Sequence, residues 1–336
     1  MDVEASFHTV IIGGGIAGVS LAYYLAELEG NGNGILVLEA DELASGATGG
    51  SLGGVRQQFS TPQAVEFGIR GLDFWRSFED RFDYPCPFHQ EGYLLMTSVP
   101  ETYAMLEAAA EVQRQAGATE VSMLTADDIA DTVPWIGTDG LVGGCWTPND
   151  GRVNPTDGVY GLARAARRLG VKFQLHSPVR SISQVGNGWR PGGDGADGDP
   201  AGRRRGRSQD ADAAQALRPR RAYHADEDPL GLHDPRADRR DLPDDDRHGD
   251  RFLCRAGAGR RGHHGDELEC AGLVRGRRHA DGVRRVAEVR APIFTEVGIH
   301  STTTAYADAT GGDGQPFIGE VEPGLWVLAG STPTAR

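Results

Sequence analysis

The sequence predicts an α/β protein with room for two domains, and three observations support this. Up to residue 189, short apolar runs of strand length alternate with longer stretches whose apolar residues recur every three or four positions. Clusters of Gly, Asn and Asp separate these stretches, as turns do. At 336 residues, the chain is long enough for two domains that each bury a core.

The first forty residues are predicted to form a strand–helix–strand unit. His8–Ile12 is an apolar run that ends in glycines, residues 16–28 have helical periodicity, and Ile35–Glu39 is a second apolar run that ends in an acid. The sequence GGGIAG joins the first strand to the helix and has the spacing G-x-G-x-x-G. The three spaced glycines are Gly13, Gly15 and Gly18.

This order of elements is typical of a Rossmann-like dinucleotide site. Gly13 permits a tight turn, Gly15 lets backbone N–H groups approach a pyrophosphate, and Gly18 lets the helix pack closely on the strand. The helix N-terminus adds partial positive charge, and Glu39 stands where a carboxylate accepts hydrogen bonds from ribose hydroxyls. Glycine spacing alone is a weak signal, but the complete order makes a merely tight turn the poorer interpretation.

The residues after Glu39 distinguish between dinucleotides. Residues 40–60 form a loop rich in glycine and hydroxyl side chains that ends in Arg-Gln-Gln. Such a loop can present several backbone donors to a second phosphate and a flavin ring. Taken alone, the loop is more typical of a flexible surface loop of small residues. A nicotinamide enzyme would not need it, so we favour FAD and keep an NAD-dependent dehydrogenase as the alternative enzyme.

Three stretches resemble FAD-dependent oxidoreductases of the D-amino-acid-oxidase (DAO) type: VIIGGGIAG, VLEADELASGATGGSLGGVRQQFSTP and DGRVNP…ARAARRLGVKF. The likeness is closest to the sarcosine oxidase β-subunit and to glycine- and dimethylglycine-oxidizing enzymes. It covers residues 7–189 almost continuously and resumes after about residue 291. It implies a Rossmann-like FAD-binding domain of the glutathione-reductase-2 type, interleaved with a mixed-sheet substrate domain that is incomplete here.

The resemblance also implies domain bounds and site residues. We expect residues 1–85, 150–189 and 310–336 in the FAD-binding domain and residues 86–149 in the substrate domain. Arg56 falls where relatives place an arginine near the flavin and the substrate carboxylate, although a surface arginine paired with a carboxylate is an equal alternative. The implied FAD-binding residues are Gly13, Gly15, Ile16, Ala17, Gly18, Glu39, Ala40, Ser45, Gly46, Thr48, Gly53, Gly54, Gln57, Val179 and Gly330.

FAD is expected to bind non-covalently. Relatives with a covalent flavin carry a histidine near the position of residues 154–157, where this chain reads NPTD. Further helices are predicted at 61–82, 101–116 and 156–169, strands at 91–97, 140–146 and 171–175, and a hairpin from Val179 through Trp189. The aromatic residues of 61–82 are expected to form a core face, and Thr125 is expected to cap a helix.

Composition excludes several classes of protein. A net charge of −14 argues against a nucleic-acid partner. The four cysteines have neither CxxC spacing nor histidines in ligand register, so neither a disulfide framework nor a zinc site is expected, and a cytoplasmic location fits best. Acids precede the first apolar run, against a signal peptide, and no apolar run is long enough to span a membrane.

Residues 190–290 have a different composition from the rest of the chain. They hold 22 of the 33 arginines, no Ile, Met, Trp, Thr, Asn or Lys, and only 13 Leu, Val, Phe or Tyr, which is too few to bury a core. A disordered charged insertion and an RNA-binding segment are alternatives. We favour translation in a shifted reading frame, because codons permitted for residues 202–207, 248–254 and 263–269 yield VVDAGA, TGTGFYV and IMGMSWN at one common one-base offset. The final STPTAR is read as a second shift or a truncation.

The expected function is oxidation of a C–N bond in a small amine or amino acid (sarcosine, glycine, dimethylglycine or proline-like) by hydride transfer to FAD. O2 or another acceptor would then reoxidise the flavin. The alternatives are a non-catalytic flavin-binding assembly or partner subunit, which admits hetero-oligomeric partners, and an inactive product of a frame-shifted gene. The identity of the substrate is left open by the sequence.

Overall fold

The computed structural model describes residues 6–193, 252–255, 269–272, 288–292 and 317–329. Its elements alternate between strands and helices, as predicted. In chain order they are β1 (Thr9–Ile12), α1 (Ile16–Glu29), β2 (Ile35–Leu38), β3 (Gly54–Val55), α2 (Pro62–Arg76), α3 (Phe78–Phe82), β4 (Tyr93–Thr97), α4 (Pro100–Gln115), β5 (Ser122–Thr125), α5 (Ala126–Thr132), β6 (Gly143–Thr147), β7 (Gly151–Arg152), α6 (Pro155–Arg168), β8 (Lys172–Gln174), β9 (Ser181–Val185), β10 (Gly188–Gly192), β11 (Phe252–Arg255), β12 (Glu269–Gly272), β13 (Phe317–Glu322) and β14 (Leu325–Ala329).

The chain divides into two units that alternate along the sequence. Among the described residues, the first unit comprises 6–49, 162–193 and 317–329, and the second comprises 50–161, 252–255, 269–272 and 288–292. The sequence-based bounds differ from this division, because they assigned residues 50–85 and 150–161 to the first unit. Pairing of β3 with β7 and packing of α2 against α4 draw these residues into the second unit.

The first unit contains a three-stranded parallel sheet in the order β1-β2-β8. The central strand β2 is buried at all four residues, which matches its continuous apolar sequence. The helix α1 turns one face inward, at Val19, Ala22, Tyr23 and Ala26, and ends at Gly30 in the left-handed conformation. The predicted hairpin is confirmed as β9 and β10, and the Trp189 indole N–H donates to the Pro323 carbonyl before β14.

The second unit is built on an antiparallel sheet in the order β4-β6-β5. One core cluster joins Val65 of α2, Ala110 of α4 and Cys145 of β6, together with the buried Ala118 and Val121. The predicted cap is confirmed: the Thr125 hydroxyl accepts from the Asp128 amide, and the Asp128 carboxylate accepts from the Thr125 amide.

The prediction of one helix over 61–82 was wrong in one respect. The helix breaks at Ser77, whose hydroxyl donates to the carbonyls of Asp73 and Phe74 and so competes with the helical hydrogen bonds. The aromatic residues pack on one another across the break, where Trp75 stacks on the fully buried Phe78 with ring centroids 5.2 Å apart. They form a core face, as expected.

Parts of the arginine-rich stretch are described. The strands β11 and β12 pair antiparallel, and β11 lies alongside β4. Residues 288–290, just before the predicted boundary at residue 291, are helical. Arg290 is buried and donates to the Gly137 and Asp139 carbonyls, and the fully buried Ala291 joins a second core cluster with Met96 and Ile129. The rest of 194–287 lies outside the described residues.

The described residues hold neither a membrane-crossing helix nor a cluster of metal ligands. No helix there is long and apolar enough to cross a membrane. No three His, Cys, Asp or Glu side chains in that part of the chain are grouped so that they could hold a metal ion.

Candidate functional site

The glycine turn between β1 and α1 requires glycine for two different reasons. Gly13 has a φ of 112°, which side-chain-bearing residues rarely adopt, and its amide donates to the Leu38 carbonyl at 2.8 Å. A Cβ at Gly18 would lie 2.0 Å from the Gly13 carbonyl oxygen. The turn therefore packs directly on the first turn of the helix.

Glu39 closes this turn from the end of β2. Its Oε2 accepts from the Gly14 amide at 2.5 Å, and its Oε1 accepts from the Asp41 amide at 2.9 Å. An ionised carboxylate offers about four acceptor positions, so two remain beside the turn after these contacts. The predicted ribose acceptor thus lies next to the predicted phosphate turn.

The loop after Glu39 folds back on the same turn. The Ala44 amide donates to the Gly14 carbonyl at 3.1 Å, and the Thr48 hydroxyl accepts from the Ile16 amide at 3.1 Å. Between these two contacts, Ser45 and Gly46 are exposed. The loop is therefore held at both ends against the start of α1.

The segment after β8 runs beside Glu39. The Glu39 amide donates to the Gln174 carbonyl at 3.0 Å, and the Ser177 amide donates to the Glu39 carbonyl at 2.8 Å. Val179 follows on this segment and is half-buried, and Ala40 is exposed. The same sheet edge thus carries the glycine turn, the acid and the segment that holds Val179, one of the implied FAD-binding residues.

These residues fit a dinucleotide. The first amides of a helix have no partner within it, and here only the Ile16 amide has one in the described contacts, the Thr48 hydroxyl. The Gly13 and Gly14 amides are bonded to the Leu38 carbonyl and to Glu39, so the amides of Gly15 and Ala17 are the candidates for phosphate oxygens. The assignment of Gly13, Gly15, Ile16, Ala17, Gly18, Glu39, Ala40, Ser45, Gly46, Thr48 and Val179 to FAD stays a proposal, and Gly330 lies outside the described residues.

The remaining predicted residues form a separate cluster in the second unit. Gly53 has a φ of 69° and a Cβ there would lie 1.9 Å from the Val153 carbonyl oxygen, so it also requires glycine. Gly54 follows on β3, where a Cβ would meet the Tyr93 ring at 3.3 Å. The structure thus divides the predicted site residues between the two units.

Arg56 is half-buried between two aromatic rings. Its guanidinium carbon lies 5.0 Å from the Phe59 ring centroid and 5.6 Å from that of Tyr93. No carboxylate of the described residues lies within ion-pair distance of it. Among the described residues, Arg56 is therefore not a surface arginine paired with a carboxylate.

Asp150 is the site residue that the sequence did not predict. It is fully buried, both of its oxygens accept from the Gln57 amide at 3.1 Å, and its Oδ1 also accepts from Gln57 Nε2 at 3.1 Å. Burial raises the pKa of the Asp150 carboxyl to about 6, although the Gln57 hydrogen bonds and the nearby Arg56 oppose the rise. In the sequence, Asn-Asp-Gly at 149–151 had only the pattern of a turn.

Comparison with known proteins identifies the family. The chain belongs to the DAO family of FAD-dependent oxidoreductases, whose model matches residues 8–333. The predicted family and the predicted fold class, a Rossmann-like α/β fold of interleaved units, are both confirmed. FAD is the cofactor of the family, and its members are enzymes, as predicted.

Individual relatives match about half of the chain. FAD-dependent oxidoreductase domain-containing protein 1 of Bos taurus is 36% identical over 184 residues, 52% of this chain and 37% of that protein. Mitochondrial dimethylglycine dehydrogenase of Rattus norvegicus is 28% identical over 174 residues, 52% of this chain and 20% of that protein. The chain thus spans little more than a third of the first relative's length. The cytoplasmic location stays a prediction.

A solved structure supports the fold. L-proline dehydrogenase from P. horikoshii superposes with a TM-score of 0.50 at 25% identity, over 56% of this chain and 48% of that one. The closer likeness to the sarcosine oxidase β-subunit stays a prediction.

Proposed function

We propose that this chain oxidises the C–N bond of a small amino acid or N-methylated amino acid, of the sarcosine, glycine, dimethylglycine or proline type. FAD, held non-covalently by the glycine turn, Glu39 and Thr48, would supply the hydride acceptor, and O2 or another acceptor would reoxidise it. The observation that carries the substrate class is Arg56, a half-buried cation without a carboxylate partner in the described residues.

Arg56 has the properties of an anchor for a substrate carboxylate. The rings of Phe59 and Tyr93 restrict the position of its guanidinium. Among the described residues, no carboxylate forms an ion pair with it. A partly desolvated guanidinium favours an anion, and its fork geometry matches a carboxylate. A substrate with a carboxylate next to the reacting C–N bond would therefore be held by one end while the other is oxidised.

The first experiment tests for catalysis. Purified chain reconstituted with FAD is mixed without oxygen with sarcosine, dimethylglycine, glycine or L-proline, and the flavin absorbance is followed. We expect bleaching by at least one of the four. A flavin that binds and is reduced by dithionite but by none of the substrates would contradict the proposal and favour a non-catalytic partner subunit.

The second experiment tests the anchor. Arg56→Gln should raise KM for the reactive substrate about 10- to 100-fold, because a hydrogen bond to a charged group is lost. Arg70→Gln is the matched control, since Arg70 is exposed on α2 of the same unit and should leave KM unchanged. An equal KM for Arg56→Gln and the wild type would remove Arg56 from the substrate site.

The composition of residues 190–290 favours a second candidate, an inactive product of a frame-shifted gene. Thirteen Leu, Val, Phe and Tyr among 101 residues cannot supply the core of half a substrate domain. The recombinant chain would then fail to bind FAD stoichiometrically or to unfold cooperatively. Stoichiometric FAD and a single cooperative melting transition would reject this candidate.

A further inference from the structure

Asp150 is a buried carboxylate with one main partner. It lies fully buried at the turn between β6 and β7, and all three described hydrogen bonds of its side chain come from Gln57, the residue after Arg56. Burying a carboxylate costs free energy, and hydrogen bonds to its oxygens offset part of that cost. Here they fix the backbone and the side chain of Gln57 together.

The residues on either side of Arg56 are fixed as well. Before it, β3 pairs with β7, so Val55 lies opposite Gly151. After it, Gln58 Nε2 donates to the Tyr93 carbonyl and to the Thr147 hydroxyl, both at 2.8 Å. The Phe59 carbonyl then accepts from Gln113 Nε2 at 3.0 Å. Among these contacts, Asp150 supplies the only charged group.

The helix α2 also packs tightly on this segment. A Cβ at Gly68 would lie 2.6 Å from the Arg56 carbonyl oxygen and 3.0 Å from the Gln57 Cα. The backbone of Arg56 is therefore confined on one side by α2 and on the other by the Asp150 contacts. The direction of the Arg56 side chain follows from this backbone placement.

We propose that Asp150 is a positioning residue for Arg56. It holds Gln57 so that the Arg56 guanidinium projects between the Phe59 and Tyr93 rings, where it meets the carboxylate of the substrate. The inference rests on the proposed function of Arg56 as the carboxylate anchor. It adds that recognition of the carboxylate depends on a residue 94 positions further along the chain that touches no substrate.

The role requires a carboxylate and not merely a polar side chain. Both Asp150 oxygens accept from the same Gln57 amide, so asparagine would place an NH2 group against that N–H. Adding Gln57→Glu to Asp150→Asn exchanges the acid and the amide between the two positions. The side-chain amide at position 150 could then donate to the carboxylate at position 57, which restores a side-chain hydrogen bond in the opposite direction. Gln57→Glu alone would bring two buried carboxylates together, which is unfavourable.

The test uses methoxyacetate, which has the shape of sarcosine with an ether oxygen in place of the amine and cannot be oxidised by hydride loss next to nitrogen. The neutral match is 2-methoxyacetamide. Binding to the FAD-loaded chain is followed by the visible spectrum of the flavin. In Asp150→Asn we expect the methoxyacetate Kd to rise about tenfold, the 2-methoxyacetamide Kd to stay within about twofold of wild type, and the Gln57→Glu second change to recover part of the loss.

A merely structural role predicts a different result. Asp150→Asn would then lower the melting temperature and weaken both ligands equally, which would overturn the inference. Hydrogen exchange supplies a second readout that needs no ligand. Peptides spanning residues 55–60 should exchange faster in Asp150→Asn, while peptides from β2 should not change. Unchanged exchange at 55–60 would also overturn it.

Arg56→Gln separates this inference from the function on which it rests. If Arg56→Gln leaves the methoxyacetate Kd unchanged, the proposed anchor is wrong. If it raises that Kd and Asp150→Asn does not, the anchor stands and the role of Asp150 is wrong. If Asp150→Asn does not fold, Gln57→Leu can replace it, because it removes one of the three hydrogen bonds and keeps the backbone amide. It should weaken methoxyacetate binding by less than the tenfold expected for Asp150→Asn and leave the 2-methoxyacetamide Kd unchanged.

Discussion

Gly18→Ala is the substitution that tests the glycine turn most directly. The added Cβ would lie 2.0 Å from the Gly13 carbonyl oxygen and 3.3 Å from Ile11 Cγ2. The first distance is about 1.5 Å inside the ~3.5 Å separation at which non-bonded heavy atoms attract best. The obstructing atom is backbone in a turn of fixed geometry, so no side chain can move aside.

The cost follows from what must move. Either α1 shifts away from β1 or the turn opens, and both displace the Gly14 and Ile16 amides from Glu39 and Thr48. Overpacking of this kind costs about 1 to 3 kcal/mol. At about 2 to 4 °C per kcal/mol, the melting temperature should fall by about 2 to 12 °C. If the displaced amides cost FAD binding the same free energy, FAD should bind about 5- to 150-fold more weakly, since each 1.4 kcal/mol is tenfold.

Melting by circular dichroism and titration of FAD by fluorescence quenching measure the two effects. Gly71→Ala is the matched control, because nothing lies within 4 Å of its added Cβ and the residue stands inside α2. Alanine there should stabilise the chain by about 0.5 to 1 kcal/mol. A Gly18→Ala variant with wild-type melting and wild-type FAD affinity would refute the turn geometry and its assignment to FAD.

Three further substitutions test other contacts. Thr48→Val keeps the side-chain shape but removes the acceptor for the Ile16 amide, and FAD titration should show weaker binding by about three- to tenfold. Thr125→Ala removes the cap of α5 and should cost about 1 kcal/mol, read from urea unfolding. Burial raises the pKa of Asp150, so the stabilisation that its protonated carboxyl provides should be present below pH 3.8 and lost as the pH rises through about 6. The urea midpoint of the wild type should therefore fall over this pH range, and that of Asp150→Asn should not show this fall.

The strand–helix–strand unit could be predicted because its signals are local. The glycines, the apolar run of β2 and Glu39 lie within 27 residues, and the turn needs glycine at Gly13 for its backbone alone. The cap at Thr125 and the hairpin around residue 186 are equally local, and both are confirmed. Where the chemistry of a site lies within one supersecondary motif, pattern and spacing are sufficient to find it.

The Asp150 contact could not be predicted because it joins residues 93 positions apart. Nothing in the turn sequence at 149–151 distinguishes a buried carboxylate from a solvated one, since burial there depends on β3 meeting β7. The break at Ser77 was missed for a related reason. Serine is tolerated in helices, and the competing side-chain hydrogen bonds appear only in the folded backbone.

The proposed change of reading frame in residues 190–290 stays a prediction. At one end of that stretch, Trp189 belongs to a paired hairpin and donates to the Pro323 carbonyl. At the other end, Arg290 and Ala291 are buried against the turn at 137–139 and the core around Ile129. Both ends of the stretch are therefore joined to folded elements.

The coding DNA tests the change of reading frame directly. We expect one frame change before the codon of residue 202 and a compensating change after that of residue 269, both within residues 190–290. Codons that give no apolar strands in the shifted frame would refute it, because the arginine-rich residues would then be the chain's own.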